Sequence, residues 1–312
     1  MTEARPLTVG LVGTGRMGGS MARALGRAGF PLVVHNRTPE RAQALADEVG
    51  ARVAASPAET ASLADVTITM LADDAAVEQV YAGPQGLIEG LRHGGVLVDM
   101  STITPDTIRA LEASVLAAGG GLLDAPVSGS TATAESGQLT LMVGGDAATL
   151  ERARPALEAL AKAIFHLGPV GSGAAMKLAV NTVIFGLNGA VAEGLVLAEA
   201  AGVPRELAYE VIAASAVGAP YVGYKRAAFL DPEGTPVAFA LDLAAKDLGL
   251  ITGLADRLGI PVPQARANLA LIRTASSGGR GGRDFATVAE ELRTSAVDPR
   301  AERPPTEEAP PR

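Results

Sequence analysis

The segment Thr8-Val9-Gly10-Leu11-Val12-Gly13-Thr14-Gly15-Arg16-Met17-Gly18 passes from an apolar, β-branched run into a glycine-rich turn and then into a helix-like stretch. In such a pattern Gly13 permits the tight turn out of a strand, Gly15 lets the backbone approach a pyrophosphate, and Gly18 lets the helix pack against the sheet. The helix N-terminus then offers unpaired N–H groups and the positive end of its dipole to phosphates. The segment predicts a dinucleotide site, with a glycine-rich turn that binds no ligand as the alternative.

The residues after the second predicted strand indicate which dinucleotide is bound. NAD sites usually carry an Asp or Glu about twenty residues beyond the glycines. Here Asn36-Arg37-Thr38 follows the strand instead, so no carboxylate repels a 2′-phosphate, and a guanidinium and a hydroxyl are available to bind one. We therefore predict NADP(H). The same residues also suit an ordinary polar turn in which Thr38 caps a helix that begins at Pro39, and both interpretations can hold together.

Composition excludes several classes of function. The chain has 312 residues, 48% of them hydrophobic and 19% charged, which is enough for two domains with sizeable cores. A net charge of −8, without a basic stripe interleaved with aromatic residues, argues against a nucleic-acid partner. The chain has no cysteine, which excludes disulfides and thiolate sites and suits the predicted cytoplasmic location. The histidines His35, His93 and His166 show no metal-ligand spacing, so no metal site is predicted.

No membrane association is predicted. Residues 1–6 are polar and lack the apolar core of a secretion signal. The longest candidate membrane span, residues 178–201, contains two asparagines and two glutamates, namely Asn181, Asn188, Glu193 and Glu199. These polar side chains fit a buried helix of a soluble protein better than a helix in lipid.

The predicted fold class is α/β, with an N-terminal Rossmann-type doubly wound sheet followed by an all-α domain. Short apolar runs alternate with amphipathic segments up to residue 164, which predicts βαβ units around a parallel sheet. We predict strands at residues 8–12, 32–35, 66–70, 96–99, 121–125, 139–143 and 163–166. Helices are predicted at residues 173–201, 204–214, 241–258, 263–276 and 285–292.

The change from strands to helices places the predicted domain boundary after residue 166. Residues 1–166 form the predicted NADP-binding domain and residues 167–295 the helical substrate and oligomerisation domain. Residues 296–312 are rich in Pro, Glu and Arg and are predicted to be a disordered tail. The long apolar helices predict a homodimer or a higher homo-oligomer, because pairing two such faces buries them.

Two segments suggest a ligand site at the carboxyl ends of strands, where doubly wound sheets bind their ligands. The first is Asp99-Met100-Ser101-Thr102, for which an ordinary strand-to-helix turn is the alternative. The second contains Ser128, Gly129 and Ser130, whose hydroxyls and N–H groups suit a small carboxylate. This second segment on its own is also compatible with a plain crossover loop.

Two further segments place lysines in helices. Lys177 and Asn181 are four residues apart and therefore share one helix face. An ammonium group on an apolar face is costly to bury, so its presence suggests a function, with a lysine that extends to solvent as the alternative. Lys246 is followed by Asp247, for which a solvated or intrahelical charge pair is an equal alternative.

Together these motifs resemble the β-hydroxyacid dehydrogenases, which include 3-hydroxyisobutyrate dehydrogenases, tartronate semialdehyde reductases and succinic semialdehyde-reducing relatives. The resemblance extends from about Leu7 to Leu292 and depends on the order of the motifs along the chain. The family usually has one glycine at the position of Ser130 and another at the position of Thr133. These departures bear on the identity of the substrate rather than on the reaction.

The resemblance implies roles for individual residues. Lys177 is the implied catalytic acid/base, Asn181 helps to hold the substrate, and Ser128 and Gly129 bind its carboxylate, with Ser130 as a further candidate. Thr102 lies near the nicotinamide, and Lys246 closes over cofactor and substrate. The complete set of predicted cofactor contacts comprises Gly13, Thr14, Gly15, Arg16, Met17, Asn36, Arg37, Thr38, Leu71, Ala72, Thr102 and Lys246.

The predicted function is hydride transfer between NADP(H) and a small semialdehyde acid or the matching 3-hydroxy acid. Reduction of an aldehyde requires a hydride on carbon and a proton on oxygen, and a protonated Lys177 would supply the proton. One alternative is an imine reductase on the same fold. Imine reductases usually lack both a lysine at this position and the segment of residues 124–129. The other alternative is an NADP-binding interaction module without turnover.

Overall fold

Short apolar runs form the strands of this protein, and in the computed structural model the described residues are 6–295. Within that range the sheet has nine strands: β1 (Val9–Val12), β2 (Leu32–His35), β3 (Arg52–Val53), β4 (Val66–Thr69), β5 (Val96–Asp99), β6 (Gly121–Asp124), β7 (Val127–Ser128), β8 (Leu139–Gly145) and β9 (Ala161–Gly168). All seven predicted strands are present. β3 and β7 were not predicted, because two residues are too few to show a period.

The helices follow the strands and then continue alone. They are α1 (Arg16–Arg27), α2 (Pro39–Val49), α3 (Pro57–Leu63), α4 (Asp74–Ala82), α5 (Leu87–Gly90), α6 (Pro105–Ala117), α7 (Thr131–Glu135), α8 (Ala147–Glu158), α9 (Ser172–Ala200), α10 (Arg205–Ala214), α11 (Pro220–Leu230), α12 (Leu241–Leu258), α13 (Pro263–Ala275) and α14 (Val288–Ser295). A π-helical turn (Ser276–Arg280) and a 3₁₀ turn (Phe285–Thr287) precede α14. α11 was not predicted.

The sheet has the strand order β3-β2-β1-β4-β5-β6-β8-β7, and β9 also pairs with β8. The chain steps outward from β1 to β3 and then crosses back to β4, so the order reverses between β1 and β4. Ligands of doubly wound sheets bind outside the carboxyl ends of the strands at such a switch point. The predicted Rossmann-type sheet is therefore confirmed, and the glycine turn lies at its switch point.

The sheet is predominantly parallel, as predicted, and becomes mixed at its far end. β6 and β7 both pair antiparallel with β8, whereas all the other strand pairs of the described sheet are parallel, namely β2–β3, β1–β2, β1–β4, β4–β5, β5–β6 and β8–β9. A parallel connection needs about a dozen residues or more. Only two residues separate β6 from β7, and the link from β7 to β8 holds just the short helix α7. β6 and β7 run in the same direction, because both are antiparallel to β8, so the short link from β7 to β8 is the one that reverses the chain.

Helices cover both faces of the sheet, so its central strands are buried on both sides. All four residues of β1, β4, β5 and β6 are buried. In β5, Val96 and Val98 belong to one hydrophobic core and Leu97 to the other. This arrangement explains why the sequence shows continuous apolar runs rather than alternation.

The described chain divides into two compact units. The first comprises the chain up to Thr182 together with Gly253–Ile260, and the second comprises Val183–Thr252 and the residues from Pro261 onward. The first unit contains the whole sheet and the start of α9. The second is helical, as predicted for this part of the chain. The boundary after residue 166 stays a prediction, and the predicted tail lies outside the described residues.

α9 is, among residues 6–295, the one helix long and apolar enough to cross a membrane by length and composition alone. Core helices of soluble proteins meet the same criteria, and 33% of its most apolar window is buried. The absence of membrane association, the cytoplasmic location and the homo-oligomeric state stay predictions.

Candidate active site

The turn between β1 and α1 has the backbone geometry that its glycines predict. Gly13 has a φ of +97°, and a Cβ there would collide with the carbonyl oxygen of Met70. A Cβ on Gly18 would collide with the carbonyl oxygen of Gly13, so α1 packs tightly on the turn. At Gly15 no heavy atom lies within 4 Å of the position that a Cβ would take. Of these three glycines, only Gly15 leaves space for a pyrophosphate to approach the backbone.

Thr14 provides an independent test of whether the turn fits a dinucleotide. Its hydroxyl is buried and, among the described residues, has no hydrogen-bond partner. Buried polar atoms are almost always paired, and an exception calls for an explanation such as a ligand atom. Gly15 is the N-cap of α1 and brings no side chain to cap the helix. The turn therefore fits a phosphate group that would accept from this hydroxyl and from the helix N-terminus.

The loop after β2 is tied to the glycine turn through Asn36. The Asn36 side chain accepts a hydrogen bond from the Thr14 N–H at 3.1 Å and donates one to the Thr38 carbonyl at 3.1 Å. Thr38 is the N-cap of α2, as predicted, but its side chain makes no capping hydrogen bond. Arg37 and Thr38 are both exposed. The structure thus assigns Asn36 to holding the two loops together and leaves the other two side chains at the surface beside them.

The loops after β4 and β5 are joined by a buried hydrogen-bonded chain. The Leu71 N–H donates to Ser101 Oγ at 2.9 Å, and this hydroxyl donates to Asp99 Oδ2 at 3.1 Å. Asp99 also accepts from the Ser101 N–H at 3.0 Å and from Thr69 Oγ1 at 2.5 Å. Burial raises the pKa of Asp99 to about 6, although these hydrogen bonds oppose the rise. These hydrogen bonds fix the position of Leu71 relative to the residues that precede Thr102.

Asp124, at the end of β6, holds the start of α9. Its carboxylate accepts the N–H of Gly171 at 2.7 Å and the N–H of Ala174 at 2.7 Å. Burial raises the pKa of Asp124, and hydrogen bonds from the backbone oppose the rise. A Cβ on Gly173 would collide with the carbonyl oxygen of Met142, so the glycine permits this close approach.

Lys177 follows this anchored start by one turn. It is half-buried, and Asn181, a further turn along α9, is 6% exposed. The predicted pair thus lies on the part of α9 that belongs to the first unit. A helix whose first turn is hydrogen-bonded to the sheet gives Lys177 a fixed position relative to the end of β6.

The predicted carboxylate segment follows β6 directly. Ser128 ends β7 opposite Thr140 on β8, and Gly129 has a φ of +144°. Ser130 then caps α7 and makes reciprocal hydrogen bonds with Thr133. The three candidate residues therefore lie at the sheet edge, and the turn that carries them is locked by its own side chains.

Lys246 lies on the part of α12 that belongs to the second unit. Its ammonium group lies 2.9 Å from Asp247 Oδ1, and Asp247 is 3% exposed. The charge pair considered as an alternative at this position is therefore formed.

Metal chemistry has no candidate site in the described part of the chain. No group of three His, Cys, Asp or Glu residues there is placed to hold a metal ion. Two of the histidines instead contact backbone carbonyls, His35 at Ala54 and His166 at Gly145.

Asp99, and Asp124 at the start of the segment of residues 124–129, had no role predicted from the sequence. The available signal was a carboxylate at the end of an otherwise apolar strand, since such a residue must be paired or hydrogen-bonded when it is buried.

Two family models together match most of the chain. The NAD binding domain of 6-phosphogluconate dehydrogenase matches residues 8–168, and the model described as NAD-binding of NADP-dependent 3-hydroxyisobutyrate dehydrogenase matches residues 171–292. The chain belongs to the β-hydroxyacid dehydrogenase family. The resemblance seen in the motifs is thereby confirmed, and the protein is an NAD(P)-dependent oxidoreductase by family.

Curated relatives cover nearly the whole chain. It is 35% identical over 293 residues to glyoxylate/succinic semialdehyde reductase 2 of Arabidopsis thaliana, covering 94% of this chain and 81% of the relative. It is also 35% identical over 288 residues to 3-sulfolactaldehyde reductase of Escherichia coli, covering 92% and 96%. A further relative is the human cytokine-like nuclear factor N-PAC, 32% identical over 280 residues, which cover 90% of this chain and 50% of that protein.

Solved structures agree with this assignment. A 3-hydroxyisobutyrate dehydrogenase from Salmonella typhimurium has a TM-score of 0.84 at 30% identity, covering 91% of this chain and 99% of its own. An imine reductase from a Pseudomonas species has a TM-score of 0.62 at 25% identity, covering 92% and 100%. The fold is thus shared with imine reductases, and the likeness to the hydroxyacid dehydrogenase is greater.

Proposed function

We propose that this protein is an NADPH-dependent reductase of small semialdehyde acids that also oxidises the matching 3-hydroxy acids. One observation carries the proposal. Lys177 lies one turn beyond a helix start that Asp124 holds at the end of β6, in the same compact unit as the glycine turn. The glyoxylate/succinic semialdehyde reductases of Arabidopsis thaliana among the relatives support the proposed substrate class.

The loop after β2 supports the proposed preference for NADP(H). The Asn36 side chain already accepts a hydrogen bond from Thr14 of the glycine turn, while Arg37 and Thr38 are exposed in the same loop. A guanidinium binds a phosphate through charge-assisted, bidentate hydrogen bonds, and no carboxylate stands among these three residues to repel it. Arg37 and Thr38 would therefore bind the 2′-phosphate. Thr14 and the N-terminus of α1 would bind the pyrophosphate, with Gly13, Gly15, Arg16 and Met17 shaping the turn.

The remaining cofactor contacts follow the sheet edge. Leu71 and Ala72 follow β4, and Thr102 follows β5, so these residues belong to the loops where a doubly wound sheet holds its ligand. The hydrogen bonds that link Asp99, Ser101 and Leu71 fix the backbone of both loops. Lys246 is a further proposed cofactor contact, which rests on the family resemblance alone.

When bound, the nicotinamide supplies the hydride, and the residues of the chain do the rest. The Lys177 ammonium donates a proton to the substrate oxygen as negative charge develops on it. Asn181, on the same helix face, holds the substrate by hydrogen bonds from its side-chain amide. Ser128 and Gly129 bind the substrate carboxylate through a hydroxyl and a backbone N–H. In the reverse direction a neutral Lys177 would accept the proton.

The test is a parallel assay of NADPH consumption with succinic semialdehyde, tartronate semialdehyde, glyoxylate and a cyclic imine. We expect turnover of at least one acid aldehyde and none of the imine. Turnover of the imine alone would make the protein an imine reductase. Cofactor binding without turnover of any of the four would favour an interaction module, which the similarity to N-PAC makes worth testing.

A further inference from the structure

Asp74, at the start of α4, joins the loop after β4 to the loop after β5. Its Oδ1 accepts from the Thr104 N–H at 2.9 Å, from Thr104 Oγ1 at 2.9 Å and from Thr107 Oγ1 at 2.6 Å. Thr104 is the N-cap of α6, and Thr107 lies in the first turn of that helix. Asp74 and both threonines are half-buried. One carboxylate oxygen thus fastens the start of α4 to the start of α6.

The charge of Asp74 strengthens this contact. Burial acts to raise the pKa of this carboxyl, and the hydrogen bonds from Thr107 and Thr104 outweigh it, so the pKa lies below its ordinary value. The carboxyl is therefore ionised at neutral pH, and hydrogen bonds to an ionised acceptor are about twice as strong as those between neutral groups. The preceding residue, Asp73, has a different contact, since it is exposed and caps α4 itself by accepting the Ala76 N–H at 2.8 Å.

The two loops are joined at an inner and an outer point, and proposed cofactor contacts lie between them. The inner junction is the hydrogen bond from the Leu71 N–H to Ser101 Oγ, and the outer one is made by Asp74. Ala72 lies between these junctions on the first loop, and Thr102 lies between them on the second. The outer junction therefore sets how far Ala72 and Thr102 stand apart.

These loops border the glycine turn. A Cβ on Gly13 would collide with the Met70 carbonyl oxygen and lie 3.2 Å from Leu71 Cδ2, so the loop after β4 packs directly against the turn. The same turn holds the Thr14 hydroxyl, which is buried without a hydrogen-bond partner among residues 6–295. A dinucleotide crosses the switch point with one nucleotide on each half of the sheet. Because the loop after β2 is assigned to the adenosine 2′-phosphate, the loops after β4 and β5 belong to the nicotinamide nucleotide.

We propose that Asp74 is a positioning residue for the nicotinamide half of the cofactor, because it holds Ala72 and Thr102 at a fixed separation. The proposal rests on the proposed function, in which these two residues contact the cofactor. Asp74 acts through Thr104 and Thr107 rather than by touching the cofactor. When the contact is lost, the two loops adopt other separations as well. The apparent Kd then rises by the inverse of the fraction of molecules that keep the binding arrangement.

Four substitutions test this role. Asp74→Ala removes the acceptor of all three hydrogen bonds, and Asp74→Asn keeps Oδ1 without the charge. Thr107→Val removes one donor from the side of α6 and is a smaller change, for use should Asp74→Ala fail to fold. Asp73→Ala is the matched control, since it removes the cap of α4 and leaves the contact with α6 in place.

The measurement is calorimetric binding of two compounds to the full chain, NADP⁺ and adenosine 2′,5′-bisphosphate, which lacks the nicotinamide nucleotide. In Asp74→Ala we expect the Kd of NADP⁺ to rise about tenfold, as it does when about a tenth of the molecules keep the binding arrangement. The Kd of adenosine 2′,5′-bisphosphate should change little. Asp74→Asn and Thr107→Val should raise the Kd of NADP⁺ by a smaller factor, and Asp73→Ala should not raise it.

Three results would overturn this inference while leaving the proposed function intact. The first is an unchanged Kd of NADP⁺ in Asp74→Ala, or in Thr107→Val if the alanine variant does not fold. The second is an equal rise for NADP⁺ and adenosine 2′,5′-bisphosphate, because the effect would then not be confined to the nicotinamide half. The third is an equal rise in Asp73→Ala, which would assign the effect to the start of α4 alone. Failure of the unaltered protein to bind NADP⁺ would contradict the proposed function itself.

Discussion

Asp99 and Asp124 stand opposite each other in register on the adjacent parallel strands β5 and β6, and each is 1% exposed. Burial raises the pKa of both carboxyls, and the neighbouring charge of Asp124 raises that of Asp99 further. Tyr81 is fully buried, and its hydroxyl lies 3.1 Å from Thr69 Oγ1, which belongs to the same network. Each aspartate anchors a different part of the site, Asp99 the loops after β4 and β5, and Asp124 the start of α9.

Asp99 makes stability depend on pH. Its pKa is about 6 in the folded protein against an ordinary value of 3.8, so the folded state binds more protons than the unfolded state between these values. Stability therefore falls as the pH rises from about 4 to about 6, and this contribution is constant above that range. Asp99→Asn should flatten the dependence. Urea unfolding at several pH values between 4.5 and 7 measures it, and an equal slope in the variant would exclude Asp99 as its source.

Asp124→Asn should destabilise the protein more than an ordinary loss of a helix cap. The amide keeps one acceptor oxygen, so one of the N–H groups of Gly171 and Ala174 loses its partner at a buried site. We expect a loss of about 1–3 kcal/mol. Asp146→Asn is the matched control, since Asp146 caps α8 at an exposed position by accepting the Thr149 N–H. Equal losses of unfolding free energy in the two variants, measured by urea unfolding, would show that the burial of Asp124 does not add to the cost of the substitution.

Arg37→Asp should weaken NADPH far more than NADH. The substitution removes a phosphate ligand and adds a repelling carboxylate, for which we expect about a 10²-fold rise in the Kd of NADPH. Arg41→Asp makes the same change of charge at an exposed position on α2 and controls for long-range effects. Equal losses for both cofactors in Arg37→Asp would show that Arg37 does not read the 2′-phosphate.

The second unit contains a buried ion pair between Lys225 and Asp284. The ammonium lies 2.6 Å and 2.7 Å from the two carboxylate oxygens, and both side chains are 3% exposed. Lys225→Met should destabilise by about 3–5 kcal/mol, because Asp284 is left buried and uncompensated. Adding Asp284→Asn should recover part of this loss. Urea unfolding of the two single variants and the double variant measures the coupling, and additive losses would contradict it.

Local patterns in the sequence predicted much of the fold. The three glycines of the first turn were each assigned a reason, and the structure shows a positive φ at Gly13, open space at Gly15 and close packing at Gly18. The apolar runs located seven of the strands, because a strand buried on both faces is a continuous apolar segment. The predicted helix over residues 241–258 has the same bounds as Leu241–Leu258.

What the sequence did not show depends on contacts between distant residues. Asp124 bonds to residues 47 and 50 positions further along the chain, and Thr69 bonds to Asp99 across 30 positions. No local spacing records such pairs. α11 was missed because Gly223 interrupts a segment of weak periodicity. The Ser130–Thr133 contact, by contrast, is local, and the spacing of a hydroxyl residue and its N3 partner is a recognisable capping pattern.

The central claim is that Lys177 supplies the proton in reduction, and turnover of the Lys177→Ala variant tests it most directly. With the acid aldehyde that the unaltered protein reduces, kcat should fall by about 10²-fold or more, the scale of a lost general acid, while the Kd of NADPH stays nearly the same. Lys162→Ala, at an exposed lysine of β9, should retain full turnover. Unchanged kcat in Lys177→Ala would remove this lysine from the mechanism.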